Sequence, residues 1–367
     1  MRVCVRASFY LILVALWLSG GGHVLAQTAD IFTVKGVPID ETAESAAAAR
    51  SFALESGRKA AYQRLLARLV PLNALGNAPA ASPELFSEIV AGIAIDSEKT
   101  SSVRYLAELT VRFSPDAVRR RFRESGLRWA ETSSRPLVVL PVYRTEGTVQ
   151  LWDTTNLWHK AWQELPDSDA LIRLVVPAGQ AADLADISPD QALAGDDARI
   201  AAIGRRYGAS GALLTTATLQ TGDQNRGALE VSVSRFGPGG ADRTSVRSYS
   251  GSAETPVASL MAIAAVGVRR DIEEGWKQDN LLRFGEQQEL VAVAPLTGLP
   301  ALIRLKELLA SVAEIQVVDL LSVTRDQTKI RLQYLGDPSQ LVFALAQKDL
   351  VLTRGAVDWQ LSSAGAR

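Results

Sequence analysis

The chain has 367 residues, 47% of them hydrophobic and 22% charged, values that exclude a wholly disordered or collagen-like protein. Lys and Arg number 39 against 40 Asp and Glu, a formal charge of -1, which argues against a dedicated DNA or RNA binder. One Cys and two His leave little scope for thiolate or multi-histidine metal chemistry.

The chain opens with an export pattern, assigned to residues 1–26. Arg2 and Arg6 form a basic start, residues 8–18 an apolar run, and Ser19, Gly20, Gly21 and Gly22 a helix break. The run is shorter than the roughly 20 residues a membrane span needs. Val24 and Ala26 place cleavage before Gln27 and the protein in the periplasm. The alternative is an uncleaved inner-membrane anchor. Cys4 precedes the apolar run, where it cannot serve as a lipid attachment site. Cleavage removes Cys4 and His23, so the exported chain has no disulfide and His159 as its one histidine.

Three segments follow. In the first, 27–132, residues 31–34 are β-prone and a long helix is expected over 41–70 with Asp40 as N-cap. Ala46, Ala49, Ala53, Gly57 and Ala61 recur every three or four residues, a small-residue stripe that lets the helix lie close to a sheet or a partner helix. A short helix over 84–90, strands over 93–97 and 103–113, a helix over 116–124 starting at Pro115, and a last strand at Leu127, Arg128 and Trp129 complete a β-α-β-β-α-β order.

Thr132, Ser133, Ser134, Arg135 and Pro136 read as a polar linker into the second segment, 133–284. Residues 137–142 are continuously apolar, as in a buried strand. Helices are expected over 157–165, with Asn156 as cap, and 196–207, stopped at Gly208. Strands over 171–176, 211–219, 227–236 and 244–251 and a helix over 256–282 make an α/β domain with its antiparallel strands late; Thr221, Gly222, Asp223 and 237–240 mark the turns. The third segment, 285–367, repeats β-α-β-β-α-β with one extra strand. Its 330–350 stretch matches 109–127 in pattern, which fits an internal repeat or two uses of one common solution equally well. The expected fold class is α+β: ferredoxin-like segments at both ends flanking a central α/β domain.

The stretch from Val34 to Asp40, Thr42 and Ala43, the run from Gly57 to Tyr62 and the run from Leu65 to Leu69 resemble the opening of the Domain of Unknown Function 2066 family of exported proteobacterial proteins. Trp152, Asn156, Trp158 and Trp162 resemble its middle, and 320–361, ending near Trp359, its close. The opening is also similar to the N-terminal domain of flagellar assembly protein T. The middle, through Arg206, Tyr207, Gly208 and Ala209, looks like the N-terminal domains of the Tol translocation protein and the curli secretion lipoprotein. These resemblances imply an envelope assembly or interaction module without assigned activity.

No phosphate-binding, dinucleotide-binding or serine nucleophile motif is present in the sequence. Asp196 with Asp197 and Glu273 with Glu274 are neighbours that point apart on a helix. Asp183, Asp186 and Asp190 form a loose acidic run without the Gly and terminal Glu of a calcium loop. His159, between Trp158 and Lys160, is expected at the surface, off the apolar face that Trp158 and Trp162 define, with Asp153 or Glu164 as possible orienting acids.

Two candidate binding surfaces remain. Trp152, Trp158 and Trp162 can stack on sugar rings or fill the core. Arg119, Arg120, Arg121 and Arg123 surround Val118 and Phe122 and can dock a partner protein or anionic lipid; Arg121 is the expected core-edge residue among them. The leading expectation is a periplasmic, non-enzymatic module that binds an envelope protein, with peripheral membrane contact possible and no cofactor, metal or nucleic acid. The alternative is a carbohydrate-binding or hydrolytic envelope protein using the Trp cluster.

Overall fold

The structure is a computed structural model that describes residues 31–145, 147–220, 228–237, 244–252, 254–282 and 287–363. The export pattern, the turn at 221–223 and most of that at 237–240, and the segment boundary near Gly285 lie outside these residues. The described residues are mixed α+β, with three sheets, ten α-helices and one 3-10 helix.

The first sheet holds β1 (Thr33–Thr42), β2 (Val90–Thr100) and β3 (Arg104–Phe113) in the antiparallel order β1-β3-β2. In β3, Tyr105, Ala107, Leu109, Val111 and Phe113 are buried at period two, which gives the sheet one apolar face. Helix α1 (Ala46–Leu69) lies on that face through Ala49, Ala53, Gly57 and Ala61. The approach needs the glycine: a Cβ on Gly57 would stand 2.6 Å from Leu109 Cδ1 and 3.0 Å from Ile39 Cγ2. Asp40 does not cap this helix. It stays in β1 opposite Leu106 and pairs with Arg104, because ladder pairing runs on to Thr42; Ser45 caps instead, accepting from the Ala48 N–H.

A 3-10 helix (Leu72–Asn77), α2 (Pro83–Ile89) and α3 (Pro115–Glu124) complete the first segment. Leu127, Arg128 and Trp129 do not form the expected strand. Their backbone is engaged elsewhere: the Leu282 N–H donates to Trp129 O, and Ala130 donates to Leu69 O and bridges Leu281. The linker is also not an exposed tether. Thr132 and Ser134 are buried, and their groups bond to Arg173 and Trp276 in the second segment and to Glu314 in the third.

The second sheet has the order β5-β4-β7-β8-β9, from β4 (Leu137–Thr145), β5 (Thr148–Gln150), β7 (Gly211–Gln220), β8 (Ala228–Phe236) and β9 (Thr244–Ser250), with β6 (Leu174–Val175) beside β4. β4 runs parallel to β6 and β7, and β7, β8 and β9 are antiparallel. Successive β4 residues enter opposite cores, as a strand buried on both faces must. Val139 joins Trp158, Trp162 and the apolar face of α8 (Val257–Asp279), whereas Val138, Leu140 and Val142 join Ile187 and Ile203. Helices α4 (Leu157–Gln163), α5 (Ala181–Asp186), α6 (Pro189–Leu193) and α7 (Asp197–Arg206) supply the rest; Asn156 caps α4 and Gly208, at φ 60°, follows α7 as expected.

The third sheet is β11-β12-β10-β14-β13, from β10 (Gln287–Pro295), β11 (Ile315–Val323), β12 (Gln327–Leu335), β13 (Leu350–Arg354) and β14 (Trp359–Ser363). Helices α9 (Leu299–Ala310) and α10 (Pro338–Ala346) contribute Leu309, Leu341 and Leu345 to its core. In both end segments the third strand lies between the first two, antiparallel to each. In the third segment β14 then pairs parallel to β10. Trp276 and Leu282, late in the second segment, join the core of the first. Among the described residues no helix is long and apolar enough to cross a membrane.

Candidate functional site

The three segments meet at Glu131 and Thr132. Glu131 is wholly buried and accepts from Arg119 Nε at 3.0 Å, Arg119 Nη2 at 2.6 Å and Trp129 Nε1 at 2.7 Å. Arg119 also lies 5.4 Å over the Phe32 ring. Burial would lower the Arg119 pKa, but its bonds to Glu131 outweigh that and raise it, so the guanidinium stays charged. Trp276 Nε1 from α8 donates to Thr132 O, and Thr132 Oγ1 donates to Glu314 Oε1 at 2.8 Å. Burial pushes the Glu314 carboxyl above its ordinary range and the Lys348 ammonium below its own. Arg135 closes the junction, its N–H donating to Gln347 Oε1 and its guanidinium pairing with Asp349.

Above this junction a cleft of about 380 Å³ opens between α3 and the third segment. Asp116, Arg119 and Arg123 form one wall, and Lys306, Ile315 and Val318 belong to the other. A second recess of about 690 Å³ shares Arg123 and Leu282 and adds Arg128, Asp279 and Gln340. Helix α3 is oriented by its buried Ala117, Val118 and Phe122, the last edge-on to Trp129 at 5.3 Å. The opposite stripe therefore carries its bases outward. Arg123, Arg128 and Lys306 are exposed, and among the described residues none has an acidic partner. Asp116 is paired with Arg119.

The arginines thus divide. Arg119 is held by the fold, and Arg121 is half-buried between Glu88 and Glu124. Arg120 and Arg123 are exposed, and Arg123 faces the cleft. Lys306, which sequence reasoning missed, reaches the same place from far along the chain. Glu131 and Glu314 were also missed; an acid inside the otherwise apolar stretch 312–315 was the one available signal.

Trp152, Trp158 and Trp162 are buried and present no open ring face for a sugar. Trp158 Nε1 donates to Thr215 O and Oγ1, Trp152 Nε1 donates to Ile187 O, and Trp158 meets Trp162 edge-on at 5.8 Å. The large apolar area of indole is the physical reason for the core placement. His159 is not a surface residue either. It is buried beside Trp152, with Nε2 2.8 Å from Pro177 O, because Trp152 and the Gly179 turn cover it. Two of the three acids of the run are likewise committed: Asp183 accepts from Gly179 N, Gln180 N and Tyr207 Oη, and Asp186 pairs with Arg206, whose hydrogen bond lowers its pKa, while Asp190 is exposed. Among the described residues no three His, Cys, Asp or Glu gather as metal ligands.

Compared with family models and with curated proteins, the chain matches no family and no curated protein.

Proposed function

We propose that this chain is an exported, non-enzymatic binding module of the cell envelope that holds an acidic segment of a partner protein in the cleft between α3 and the third segment. The observation that carries this reading is the convergence of Arg123, Arg128 and Lys306 on one pair of recesses without acidic partners among the described residues. Exposed cations held apart from counter-ions steer an anionic partner and set its register. The resemblance to the Domain of Unknown Function 2066 family, and to the Tol and curli secretion modules in the middle segment, supports the same reading. So does the export pattern, which sends residues 27–367 to the periplasm. In this reading the two end segments are variants of a ferredoxin-like unit. The shared placement of the third strand supports that, whereas the parallel pairing of β14 departs from it. Peripheral contact with anionic lipid is secondary.

The test is photo-crosslinking in the native envelope from a probe at Gln316, beside the cleft, with a probe at the exposed Phe52 as control. A specific protein adduct from Gln316 alone, lost in Arg123→Glu/Lys306→Glu, is expected. No adduct, or the same adducts from both probes, overturns the reading.

A further inference from the structure

The third sheet ends at β11, which pairs with β12 and with no other strand among the described residues. Edge strands leave a row of N–H and C=O groups outside the ladder and are commonly blunted by charge, proline or short length. β11 is nine residues long with Asp319 as its one charge, although bulges interrupt its register at Ile315/Val317 and Leu320/Ser322. Val317, Leu320, Leu321 and Val323 are 38–51% exposed. Val318 and Leu320 stand opposite Leu332 and Ile330, so they lie on the face that α9 covers, and Asp319 lies on the other.

On α9, Leu299, Ile303, Lys306 and Ala310 are four, three and four residues apart, form one stripe and are all exposed. Lys306 and Ala310 share the cleft wall with Ile315, Gln316 and Val318. A groove between α9 and β11 therefore changes character along its length. Apolar Leu299, Ile303, Leu320 and Val323 lie away from the cleft. The end at Ile315 meets Lys306, Arg123 and Arg119, with Asp116 the acid there and bonded to Arg119.

We propose that this groove takes an extended segment of a partner protein as an added strand beside β11, apolar along its length and acidic at its carboxyl-terminal end. The proposal rests on the binding reading above and names the partner's chemistry. Strand addition supplies main-chain bonds, and a flanking helix supplies side-chain selectivity. An antiparallel addition, the more stable pairing, brings the carboxyl end of the guest to Ile315 and the cations. A second copy of this chain fits poorly. Paired with its own twin, β11 would set Asp319 near Asp319 and bring Arg325 toward the cationic end, and like charges placed opposite destabilise.

The probe is a fluorescein-labelled peptide of alternating threonine and valine ending in two glutamates with a free carboxylate. It is titrated into the exported chain by anisotropy, with hydrogen exchange read in parallel. Saturable binding with slowed exchange across Ile315–Val323 is expected, and a peptide ending in two lysines should not bind. Arg123→Glu/Lys306→Glu should weaken binding by about tenfold or more. Leu320→Lys, a charge on the edge itself, should do the same with the cations intact. Equal affinity for both peptides, protection outside β11, or protection produced instead by self-association or by phosphatidylglycerol vesicles overturns the proposal. If the peptide fails while the Gln316 crosslinks persist, strand addition falls and the binding reading stands. If the crosslinks are absent, that reading falls first.

Discussion

Removing Arg119 should destabilise the protein far more than removing its neighbour Arg120, although both belong to one run of arginines. The Glu131 side chain has no solvent exposure, and Arg119 supplies it with two donors while Trp129 supplies a third. Arg119→Ala leaves that carboxylate buried with one of these donors. Breaking a fully buried ion pair costs about 3–5 kcal/mol, and discounting for the 34% exposure of Arg119, which admits water, leaves about 2–3 kcal/mol. Arg120 is exposed and bears no ion pair among the described residues, so Arg120→Ala should stay within about 0.5 kcal/mol of the parent. Urea unfolding followed by tryptophan fluorescence measures both. The double change Arg119→Met/Glu131→Gln should recover more than half of the loss. The replacement amide oxygen still accepts from Trp129, and a buried pair exchanged for neutral groups is often tolerated. Equal midpoints for Arg119→Ala and Arg120→Ala would refute the buried-pair argument.

Three further outcomes follow from the geometry and a fourth from the sequence. The raised Glu314 pKa means that folding takes up a proton, so its contribution is fully present below the ordinary value of about 4.5 and is lost as pH rises through the folded value. Glu314→Gln, facing Glu131, Lys348 and Thr132, should flatten that fall in stability above pH 4.5; parallel pH profiles for parent and variant would count against it. Trp158→Phe loses the donor to Thr215 and should cost about 1–3 kcal/mol, with iodide failing to quench Trp158 in the folded parent; ready quenching would contradict its burial. Lys277 Nζ donates to Ala67 O and Val70 O at the end of α1, so Lys277→Met should cost about 2 kcal/mol in the unfolding midpoint; an unchanged midpoint would remove this tie between α8 and α1. N-terminal sequencing of the native protein should read from Gln27 if the export pattern is cleaved, and an N-terminus retaining residues 8–18 would make it membrane-anchored.

Local order was legible wherever neighbours along the chain set it. The α1 stripe, Asn156 as a cap, Gly208 as a stop, the buried β4 run and the strand and helix order of the third segment can all be read from periodicity and turn chemistry. Tertiary structure alone decided what long-range pairing controls. Asp40 reads as a cap until β3 claims it as a strand residue, and Trp129 reads as a strand until Leu69 and Leu282 take the backbone of its segment. Thr132 and Ser134 look like a soluble linker because their polar partners, Trp276, Glu314 and Leu171, lie far away in sequence. His159 looks exposed on its helix because the Gly179 turn that covers it belongs to another element. The cleft was hidden for the same reason: its cations come from α3 and α9, and no sequence window contains both. Local propensity is set within a few residues, whereas burial and charge convergence depend on which surfaces the folded chain brings together.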